Sequence, residues 1–421
     1  MNIRIFPPEE MLEATVTLPL SKSMSARALV INRLQKASES VQVSDSDDTR
    51  ALAAALDVTV GDVNVGPAGT AMRFLTAYYA ATPGVEVVID GSERMRQRPM
   101  GGLIDALRQL GAQIECLSEE GHAPMRITGR RLTGGDVRVN PGISSQFLSA
   151  LMMIAPTMEA PLNIRFEGDP VSMAYIRMTA SMMAMAGVEP EFSYGLIEVP
   201  NSPYTRPIET IEKDWSAASY WYSIAALSAG WITLDGMSLP SVQGDAAMVG
   251  IGEKLGVVTG ESEETENALE LSASPEQFSR LDLDMSNTPD LVQGTAFAAA
   301  MLRIPFRFTG VSTLRVKETD RIEALRKEAL KLGIIFTVES DDVISWDGQM
   351  VPIEQLPEFD IYGDHRMAMA LAPVSLYVPG IVIKDAEVVS KSYPGFWSDL
   401  QKAGFVIEEV GQENEPTEEA D

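Results

Sequence analysis

The chain has 421 residues, of which 45% are apolar and 22% charged, and its 60 Asp and Glu residues outnumber 33 Lys and Arg to give a formal net charge of −27. A surface this acidic repels phosphate backbones and anionic lipid heads, so neither a nucleic-acid-binding protein nor a membrane-surface protein is expected. The length allows roughly two or three domains.

Cysteine and histidine are too scarce for two common kinds of site. The sequence contains one cysteine, Cys116, and two histidines, His122 and His365. An intrachain disulfide is therefore impossible, and a Cys/His zinc site lacks ligands. The first residues lack a basic segment leading into an apolar one, and no run reaches membrane-spanning length. We expect a cytoplasmic protein without a bound metal ion.

One kind of helix opening recurs along the chain: a small or polar residue suited to an N-cap, followed by an apolar run of helical period. The openings begin at Ser21, Gly69, Ser144, Asp214, Pro289 and Asp364. They are 48, 75, 70, 75 and 75 residues apart, which predicts six repeated supersecondary units, the first of them shortened.

Strand-like segments and ordinary amphipathic helices lie between these openings. The strands are predicted at 85–90, 136–140, 162–168 and 381–389, and the amphipathic helices at 101–112 and 320–333, each ending in Leu-Gly. The pattern predicts a repetitive α/β (α+β) fold in which the Ala-, Met- and Ser-rich helices are buried. The acidic tail, residues 410–421, is predicted to be disordered.

Six helix N-termini brought together would attract anions even in an acidic protein. Cations and hydroxyls lie at or beside these openings: Lys22, Ser23, Arg27, Gly69, Arg73, Arg94, Arg96, Arg98, Ser144, Ser145, Gln146, Arg315, Lys317, Arg321, Arg366 and Lys391. Each alone is more often a solvated side chain or a simple cap. Their co-occurrence in a cation-poor chain favours a site for anionic ligands. No nucleotide-binding glycine motif is present.

Eight motifs, in this order, resemble those of 5-enolpyruvylshikimate-3-phosphate synthases (3-phosphoshikimate 1-carboxyvinyltransferases). They are SKSMSAR, DSDDTR, GTAMR, RMRQRP, SSQF, RVKETDR, YGDHRMAMA and SKSYP. The resemblance extends from about Leu20 to Pro394, nearly the whole chain.

The resemblance implies two similar domains, each an inside-out α/β barrel of three repeated units, with helix N-termini facing the interdomain cleft. One domain would comprise residues 1–20 plus 213–421, would bind mainly the phosphoenolpyruvate carboxylate and would carry the acid/base residues. Residues 21–212 would form the other and bind mainly shikimate 3-phosphate. The cleft would close on substrate and expel water.

The resemblance also implies a reaction: transfer of the enolpyruvyl group of phosphoenolpyruvate to the 5-hydroxyl of shikimate 3-phosphate. C3 of phosphoenolpyruvate is protonated, the hydroxyl attacks C2, and the tetrahedral ketal loses phosphate. The expected partners are these two small molecules, with no nucleic acid, membrane, cofactor or metal, and the expected state is a monomer.

Site residues follow by motif match. Shikimate 3-phosphate would contact Lys22, Ser23, Arg27, Ser144, Ser145, Ser172, Tyr175, Asp290, Thr313 and Lys317. Phosphoenolpyruvate would contact Lys22, Gly69, Arg94, Gln146, Arg321, Arg366 and Lys391. Asp290 would deprotonate the 5-hydroxyl, with Lys22 close by, and Glu318 would shuttle the proton at C3. Unaided by the resemblance, Asp290 is more simply a first-turn helix residue and Glu318 a solvated one.

The chain departs from the family pattern at a few positions. Thr313 replaces an Asn that touches shikimate, Pro67 stands where Asn is common, Phe74 replaces Pro, and Met173-Ala174 replace Lys-Pro. None of these changes removes a proton-moving group, but they bear on the contacts around the shikimate ring and on sensitivity to glyphosate.

Three alternatives stay open at this point. Enolpyruvyl transfer to UDP-N-acetylglucosamine usually goes with Lys-Asn at the first motif and a reactive cysteine on a loop, whereas this chain has Lys22-Ser23 and only Cys116. A non-catalytic binder of phosphorylated metabolites could share the scaffold. An RNA-end cyclase would need a nucleotide site and a basic surface.

Overall fold

The computed structural model describes residues 1–36, 41–139, 144–166, 172–274, 276, 278–353 and 355–411. The strands are β1 Asn2–Phe6, β2 Glu13–Thr17, β3 Val60–Asn64, β4 Glu86–Asp90, β5 Gln113–Cys116, β6 Met125–Thr128, β7 Gly135–Arg138, β8 Leu162–Arg165, β9 Glu191–Ser193, β10 Leu196–Val199, β11 Trp231–Asp235, β12 Val257–Glu261, β13 Ala268–Ala273, β14 Leu281–Asp284, β15 Phe306–Thr309, β16 Thr337–Ser340, β17 Val343–Trp346, β18 Glu358–Phe359, β19 Ile381–Ile383 and β20 Val406–Val410. The α-helices are α1 Lys22–Gln35, α2 Asp47–Leu56, α3 Gly69–Ala81, α4 Glu93–Gln97, α5 Gly101–Gln109, α6 Ser145–Ile154, α7 Met173–Met185, α8 Trp215–Ser228, α9 Met248–Lys254, α10 Val292–Met301, α11 Arg321–Lys331, α12 His365–Leu371 and α13 Phe396–Lys402.

In the described part of the chain the strands form five four-stranded sheets with one shared topology. Their orders are β3-β4-β6-β5, β7-β8-β10-β9, β2-β11-β13-β12, β14-β15-β17-β16 and β18-β19-β1-β20. In each order the first pair is parallel and the other two pairs are antiparallel. The same supersecondary pattern therefore recurs along the chain.

The two N-terminal strands pair with strands from the distant half of the sequence. β1 lies between β19 and β20, with Ile3 opposite Ile383 on one side and Glu409 on the other. β2 lies parallel to β11, with Thr15 opposite Thr233. The chain start is thus part of the structure built by its second half.

Buried apolar side chains form two separate cores. Core A gathers residues 3–18 and 215–405, and core B gathers residues 24–208. The chain passes between them at Leu20 and Lys213, which pair in an antiparallel bridge. The Ser21 amide donates to the Glu212 carbonyl at 2.8 Å, and the Asp214 amide to the Pro19 carbonyl at 2.9 Å, so the two connections are hydrogen-bonded to each other.

All six predicted openings begin helices. The side chains of Ser21, Ser144, Asp214 and Asp364 each accept a hydrogen bond from a backbone amide of the first turn. The opening at Pro289 differs, because a 3₁₀ turn (Pro289–Leu291) precedes α10. Helices α3, α6, α10 and α12 are almost entirely buried, as their Ala- and Met-rich sequences predict.

The strand prediction for 381–389 is only partly right. Strand β19 stops at Ile383, Asp385 adopts φ 49°, and residues 386–391 form a 3₁₀ helix. A left-handed residue cannot continue an extended strand. The amphipathic helices end as predicted, with Gly111 and Gly333 at φ 92° and 73°.

The predicted disordered tail begins too early, because Val410 ends β20 and lies opposite Asn2. Residues 412–421 lie outside the described residues. No helix in the part of the chain described is both long enough and apolar enough to cross a lipid bilayer.

Candidate active site between the two cores

A polar cavity lies where helix starts from both cores meet. Its lining comprises Lys22, Ser23, Arg27, Asp48, Gly69, Thr70, Arg98, Ser144, Ser145, Gln146, Ser172, Tyr175, Asp290, Lys317, Glu318, Arg321, His365 and Arg366. Five of the six predicted openings contribute to it. The sixth, at Asp214, lines a small adjoining cavity together with Ser216, Tyr220 and Arg366. Two grooves elsewhere on the surface enclose a larger volume, but neither is lined by several helix N-termini.

Two carboxylates fix the start of α1. The Lys22 amide donates to Asp214 Oδ2 at 3.0 Å, and its ammonium lies 3.1 Å from Asp48 Oδ2. Asp214 also caps α8 by accepting from the Ala217 amide at 2.9 Å. One aspartate therefore joins the first turns of a core-B helix and a core-A helix.

Arg27 is a buried cation held by neutral groups. Its guanidinium donates to Thr179 Oγ1 at 2.7 Å, to the Tyr175 carbonyl at 3.2 Å and to the Ser23 carbonyl at 2.8 Å. Burial lowers its pKa to about 10. No carboxylate in the described residues forms an ion pair with it. An anion in the cavity would supply the missing countercharge.

Gly69 leaves room for the arginine beside it. A Cβ at this position would lie 2.5 Å from Arg98 Nη1, so a larger residue would displace the guanidinium from the start of α3. Arg98 is 8% exposed, and burial lowers its pKa. Next to it, Gln146 donates to Thr70 Oγ1 at 3.1 Å. The backbone of Gly69, the guanidinium of Arg98, the hydroxyl of Thr70 and the amide of Gln146 thus line the same cavity.

The predicted phosphate ligand Arg94 lies outside this lining, and Arg98 lies in it. Arg94 is exposed and donates to the carbonyls of Lys317 and Glu318 at 3.2 and 3.3 Å. The helix containing Arg94 ends at Gln97, and Arg98 follows with an extended backbone, φ −81° and ψ 128°. That change of direction turns the Arg98 side chain toward Gly69, and the spacing of arginines in RMRQRP does not reveal it.

Two arginines share one carboxylate in the core-A wall. Arg321 Nη1 lies 3.1 Å from Asp290 Oδ1, and Arg366 Nη2 lies 2.8 Å from Asp290 Oδ2. Arg321 also binds Glu318 at 2.9 Å and Asp364 at 2.6 Å. Asp364 also accepts a hydrogen bond from the Arg366 backbone amide, so the first turn of α12 belongs to the same network. The result is a charge-assisted network with fixed guanidinium planes.

The neighbouring charges decide the ionisation of these groups. Burial alone would raise the pKa of Asp290, but Arg366, Lys317 and Arg321 outweigh it and hold that pKa well below its usual range. Burial likewise opposes ionisation of Glu318, yet Arg321 and Arg98 lower its pKa. Burial lowers the pKa of Lys317. With these neighbouring charges, both carboxylates are ionised.

Tyr175 crosses the cavity from core B. Its hydroxyl donates to Asp290 Oδ2 at 2.8 Å, and nearby the Ser172 amide donates to the Ser286 carbonyl at 3.1 Å. Ser172 has φ 60°, a left-handed conformation that is uncommon for a non-glycine residue. The two walls of the cavity are thus in direct contact.

His365 is buried in the cavity wall, and within the described chain neither ring nitrogen has a hydrogen-bond partner. Burial, reinforced by the charges of Lys22 and Arg366, holds its pKa well below the usual range, so the ring is neutral. A neutral imidazole between cations can still donate to or accept from a ligand.

The predicted site residues form two groups, those that line the cavity and those that do not. Lys22, Ser23, Arg27, Gly69, Ser144, Ser145, Gln146, Ser172, Tyr175, Asp290, Lys317, Glu318, Arg321 and Arg366 line the cavity. Arg94, Thr313 and Lys391 do not. Thr313 lies in the 3₁₀ turn Ser312–Val316, and Lys391 is a buried residue whose charge lowers the pKa of Glu318.

The motif match did not assign four of the lining residues to a substrate: Asp48, Thr70, Arg98 and His365. All four belong to motifs that the sequence singles out, DSDDTR, GTAMR, RMRQRP and YGDHRMAMA. In the described part of the chain, no cluster of three or more His, Cys, Asp or Glu residues has the arrangement of a metal site.

A cavity between two cores, lined by helix N-termini, buried guanidinium groups and two ionised carboxylates, defines a site for small anionic ligands with acid/base groups beside them. This chain is similar to known proteins in both sequence and fold. A model of the EPSP synthase (3-phosphoshikimate 1-carboxyvinyltransferase) family matches residues 59–400.

Two named relatives cover almost all of the chain. The 3-phosphoshikimate 1-carboxyvinyltransferase of Bacteroides fragilis is 46% identical over 405 residues, covering 96% of this chain and 98% of that protein. Its counterpart from Methanospirillum hungatei is 35% identical, covering 91% and 94%. An EPSP synthase structure from Acinetobacter baumannii shares the mixed α/β fold, with a TM-score of 0.75 at 20% identity over 97% of this chain and 100% of that one. The chain belongs to the EPSP synthase family.

Proposed function

We propose that this chain transfers the enolpyruvyl group of phosphoenolpyruvate to the 5-hydroxyl of shikimate 3-phosphate and releases phosphate, in the shikimate pathway of aromatic amino-acid biosynthesis. The family membership supports this activity. The structural observation that carries it is the shared carboxylate of Asp290, bound by Arg321 and Arg366 in a cavity that also holds Glu318.

The proposed positions of the substrates follow the charges. Phosphoenolpyruvate would place its carboxylate on Arg321 and Arg366, whose planar guanidinium groups suit a bidentate grip. Its phosphate would meet Lys22, Gln146, the Gly69 backbone and Lys391, with Arg98 in the role first expected of Arg94. Shikimate 3-phosphate would lie on the core-B side, its phosphate at Ser144, Ser145, Ser172 and Tyr175 and its carboxylate side at Ser23 and Arg27. Lys317 and Thr313 would approach it from core A.

Substrate binding would also change the two carboxylates. Asp290 is bound by two arginines, which makes it a weak base. A substrate carboxylate competing for Arg321 and Arg366 would loosen both pairs and raise the pKa of Asp290. Asp290 could then accept the proton of the 5-hydroxyl, with Lys22 near the same oxygen.

Glu318 would deliver a proton to C3 of phosphoenolpyruvate and later take one back. Its pKa is lowered by Arg321 and Arg98, the cations that two bound anions would neutralise. Binding would therefore raise the pKa of Glu318 toward a value at which it can act as an acid. The tetrahedral intermediate would lose phosphate toward Arg98 and Lys22.

The same proposal includes two domains, residues 1–20 plus 213–421 and residues 21–212, each an inside-out barrel of three repeated units. The separation of core A from core B and the shared topology of five sheets support it. The shortened first unit would correspond to α1 and α2, between which residues 37–40 lie outside the described residues. We further propose a monomer in the cytoplasm, since the lone free thiol of Cys116 fits a reducing compartment.

The alternatives have less support. Cys116 lies in β5 and is not part of the cavity lining, so nothing corresponds to a reactive loop cysteine in the described site. A non-catalytic binder would not need two ionised carboxylates beside the bound anions.

Phosphate release from the purified protein, in excess chelator, tests the proposal. Release should depend strictly on both phosphoenolpyruvate and shikimate 3-phosphate, and UDP-N-acetylglucosamine should not replace the latter. A requirement for a divalent metal would contradict catalysis by side-chain cations alone. Binding of both substrates without phosphate release would identify a binder.

A further inference from the structure

Asp245 is a buried carboxylate near the cavity that the proposed reaction does not use. It lies in the 3₁₀ turn Gly244–Ala247, is 4% exposed, and lines neither the cavity nor the small space adjoining it. Its Oδ2 accepts a hydrogen bond from Ser216 Oγ, and its Oδ1 has no partner among the described residues. Burying a carboxylate costs free energy, and the one side-chain hydrogen bond described for this carboxylate is made with Ser216.

Ser216 connects Asp245 to an arginine of the cavity. The Ser216 hydroxyl oxygen lies 3.5 Å from Arg366 Nη2, the same nitrogen that donates to Asp290 Oδ2 at 2.8 Å. A hydroxyl group has one hydrogen to donate and two lone pairs to accept with. Because Ser216 gives its hydrogen to Asp245, its lone pairs remain for Arg366. Asp245 thus decides which way the Ser216 hydroxyl points.

Two hydroxyl groups of α8 hold the Arg366 guanidinium on the side away from α12. Ser216 and Tyr220 lie four residues apart on α8 and therefore on the same face of the helix. Arg366 Nη1 donates to the Tyr220 hydroxyl at 3.3 Å, while Nη2 faces Ser216. Both contacts are long, so the plane of the guanidinium depends on how the two hydroxyls are oriented. A Ser216 hydroxyl released from Asp245 could turn its hydrogen toward the cation and cease to accept from it.

The turn that contains Asp245 is fixed where the two cores meet. Gln243 Nε2 donates to the Lys213 carbonyl at 2.7 Å, at the point where the chain passes between the cores. On the core-B side, a Cβ at Gly244 would lie 2.3 Å from the Ala174 Cβ, so the turn packs directly on the start of α7. The position of Asp245 therefore depends on the chain crossing and on the contact between the cores.

We propose that Asp245 is a positioning residue: it holds the Ser216 hydroxyl as an acceptor for Arg366 and so fixes the plane of that guanidinium. This inference rests on the proposed function, in which Arg366 binds the carboxylate of phosphoenolpyruvate. A bidentate grip on a carboxylate requires a correctly oriented guanidinium plane, so a turned Arg366 lowers the affinity for phosphoenolpyruvate. Inorganic phosphate and shikimate 3-phosphate do not use this arginine in the proposed site, so their binding does not depend on Asp245.

Steady-state kinetics test this with Asp245→Ala, Ser216→Ala and the double variant. Each single variant should raise the KM for phosphoenolpyruvate about tenfold, while the KM for shikimate 3-phosphate and the inhibition constant of inorganic phosphate stay within about threefold. The double variant should be no worse than either single one, because both break the same contact. Asp245→Asn should recover most of the affinity, since its amide oxygen can still accept from Ser216. The control is Glu270→Gln, which alters a carboxylate bound by Ser262 outside the cavity lining and should match the unmodified protein.

A spectroscopic measurement does not depend on activity. In protein prepared with isotope-labelled arginine, the Nε–H resonance of Arg366, assigned by its loss in Arg366→Lys, should shift in Asp245→Ala and not in Glu270→Gln. Ser216→Ala, which removes only a hydroxyl, gives the same readouts if Asp245→Ala does not fold.

Three results would overturn the positioning role of Asp245: an unshifted Arg366 resonance, equal rises in the KM values of both substrates, or single effects that multiply in the double variant. An unmodified protein inactive toward both substrates would count against the proposed function. The resonance of Arg366 would then still decide whether Asp245 positions this arginine.

Discussion

Asp290 is the residue at which the functional interactions meet. Tyr175 reaches it from core B, and Arg321 and Arg366 bind its two oxygens from core A. The arginines proposed to bind substrate are thus paired with one of the protein's own carboxylates. A buried cation pair is thereby stabilised until an anion competes for it.

Glu318→Gln should lower turnover by about a hundredfold or more, because a general acid of this type contributes on that scale. Gln keeps an oxygen that can accept from Arg321 Nη2, so substrate affinity should change by less than about threefold. Stopped-flow or steady-state kcat and calorimetric binding of shikimate 3-phosphate measure the two effects. Glu323→Gln, whose carboxylate pairs with Arg326 on the outer face of α11, is the matched control. Loss of binding of both substrates would make Glu318 structural.

Asp245 should make the free energy of unfolding depend on pH, because its surroundings shift its pKa. It is 4% exposed, its Oδ2 accepts a hydrogen bond from Ser216 Oγ, and its Oδ1 has no partner among the described residues. Burial, assisted by the charge of Asp290 and opposed by Arg366, raises its pKa to about 7. The folded protein therefore holds this proton to a higher pH than the unfolded chain, in which the pKa of an aspartate is about 3.9.

The stabilisation by protonated Asp245 is complete below about pH 4 and is lost as the pH rises through about 7. Asp245→Asn remains neutral throughout, so its unfolding free energy relative to the unmodified protein should rise by about 2–3 kcal/mol between about pH 5 and about pH 8. Urea unfolding at the two pH values measures this. The exposed Asp105→Asn should show no such trend, and a flat difference for Asp245→Asn would refute the prediction.

At the scale of elements, Asp214 couples the two cores through helix capping. It accepts the Ala217 amide of α8 with one oxygen and the Lys22 amide of α1 with the other. The antiparallel bridge between Leu20 and Lys213, where the chain passes between the cores, brings these two helix starts together. Two helices from different cores therefore begin at one side chain.

Asp214→Ala should destabilise the protein by about 2 kcal/mol or more, because two backbone amides lose their partner. Ser46→Ala, which removes the cap of α2 alone, should cost about 1 kcal/mol. Chemical denaturation of both variants gives the comparison. Equal losses would mean that the Lys22 contact contributes nothing to stability.

Helix starts were predictable from sequence because capping is local. Ser21, Ser144, Asp214 and Asp364 lie within a few residues of the amides that they bind. Sheet pairing is not local: β1 pairs with β19 and β20 at the far end of the chain, with Ile3 opposite Ile383 and Glu409, and nothing in its five residues specifies that register. The segment at 381–389 has strand composition throughout, yet Asp385 ends the strand because it adopts a left-handed turn.

At the scale of the whole molecule, the acidic net charge does not describe the lining of the cavity. The net charge is −27, while Lys22, Arg27, Arg98, Lys317, Arg321 and Arg366 surround one cavity between the cores. An anion that lies between the two cores can be bound by cations from both sides at once. Anionic substrates should therefore favour the closed arrangement, in which Tyr175 and Arg94 reach the opposite core.

Small-angle X-ray scattering tests this closure. Adding shikimate 3-phosphate should reduce the radius of gyration by a few per cent at most, and adding inorganic phosphate with it should reduce it further. Shikimate without its phosphate should have little effect, because it lacks the charge that bridges the cations. Identical scattering curves with and without shikimate 3-phosphate would rule out ligand-driven closure.

The sequence by itself determined the helix starts, the repetitive α/β character, the family resemblance and most of the residues that line the cavity, because caps and motifs are short-range and depend on residue type. Only the tertiary structure decided which arginine of RMRQRP enters the cavity, that Arg94 instead binds the opposite core, and that Asp48, Thr70 and Asp245 are near the site. These outcomes depend on how α4 ends and on which surfaces meet when two cores come together. Such long-range geometry is absent from the spacing of residues along a chain.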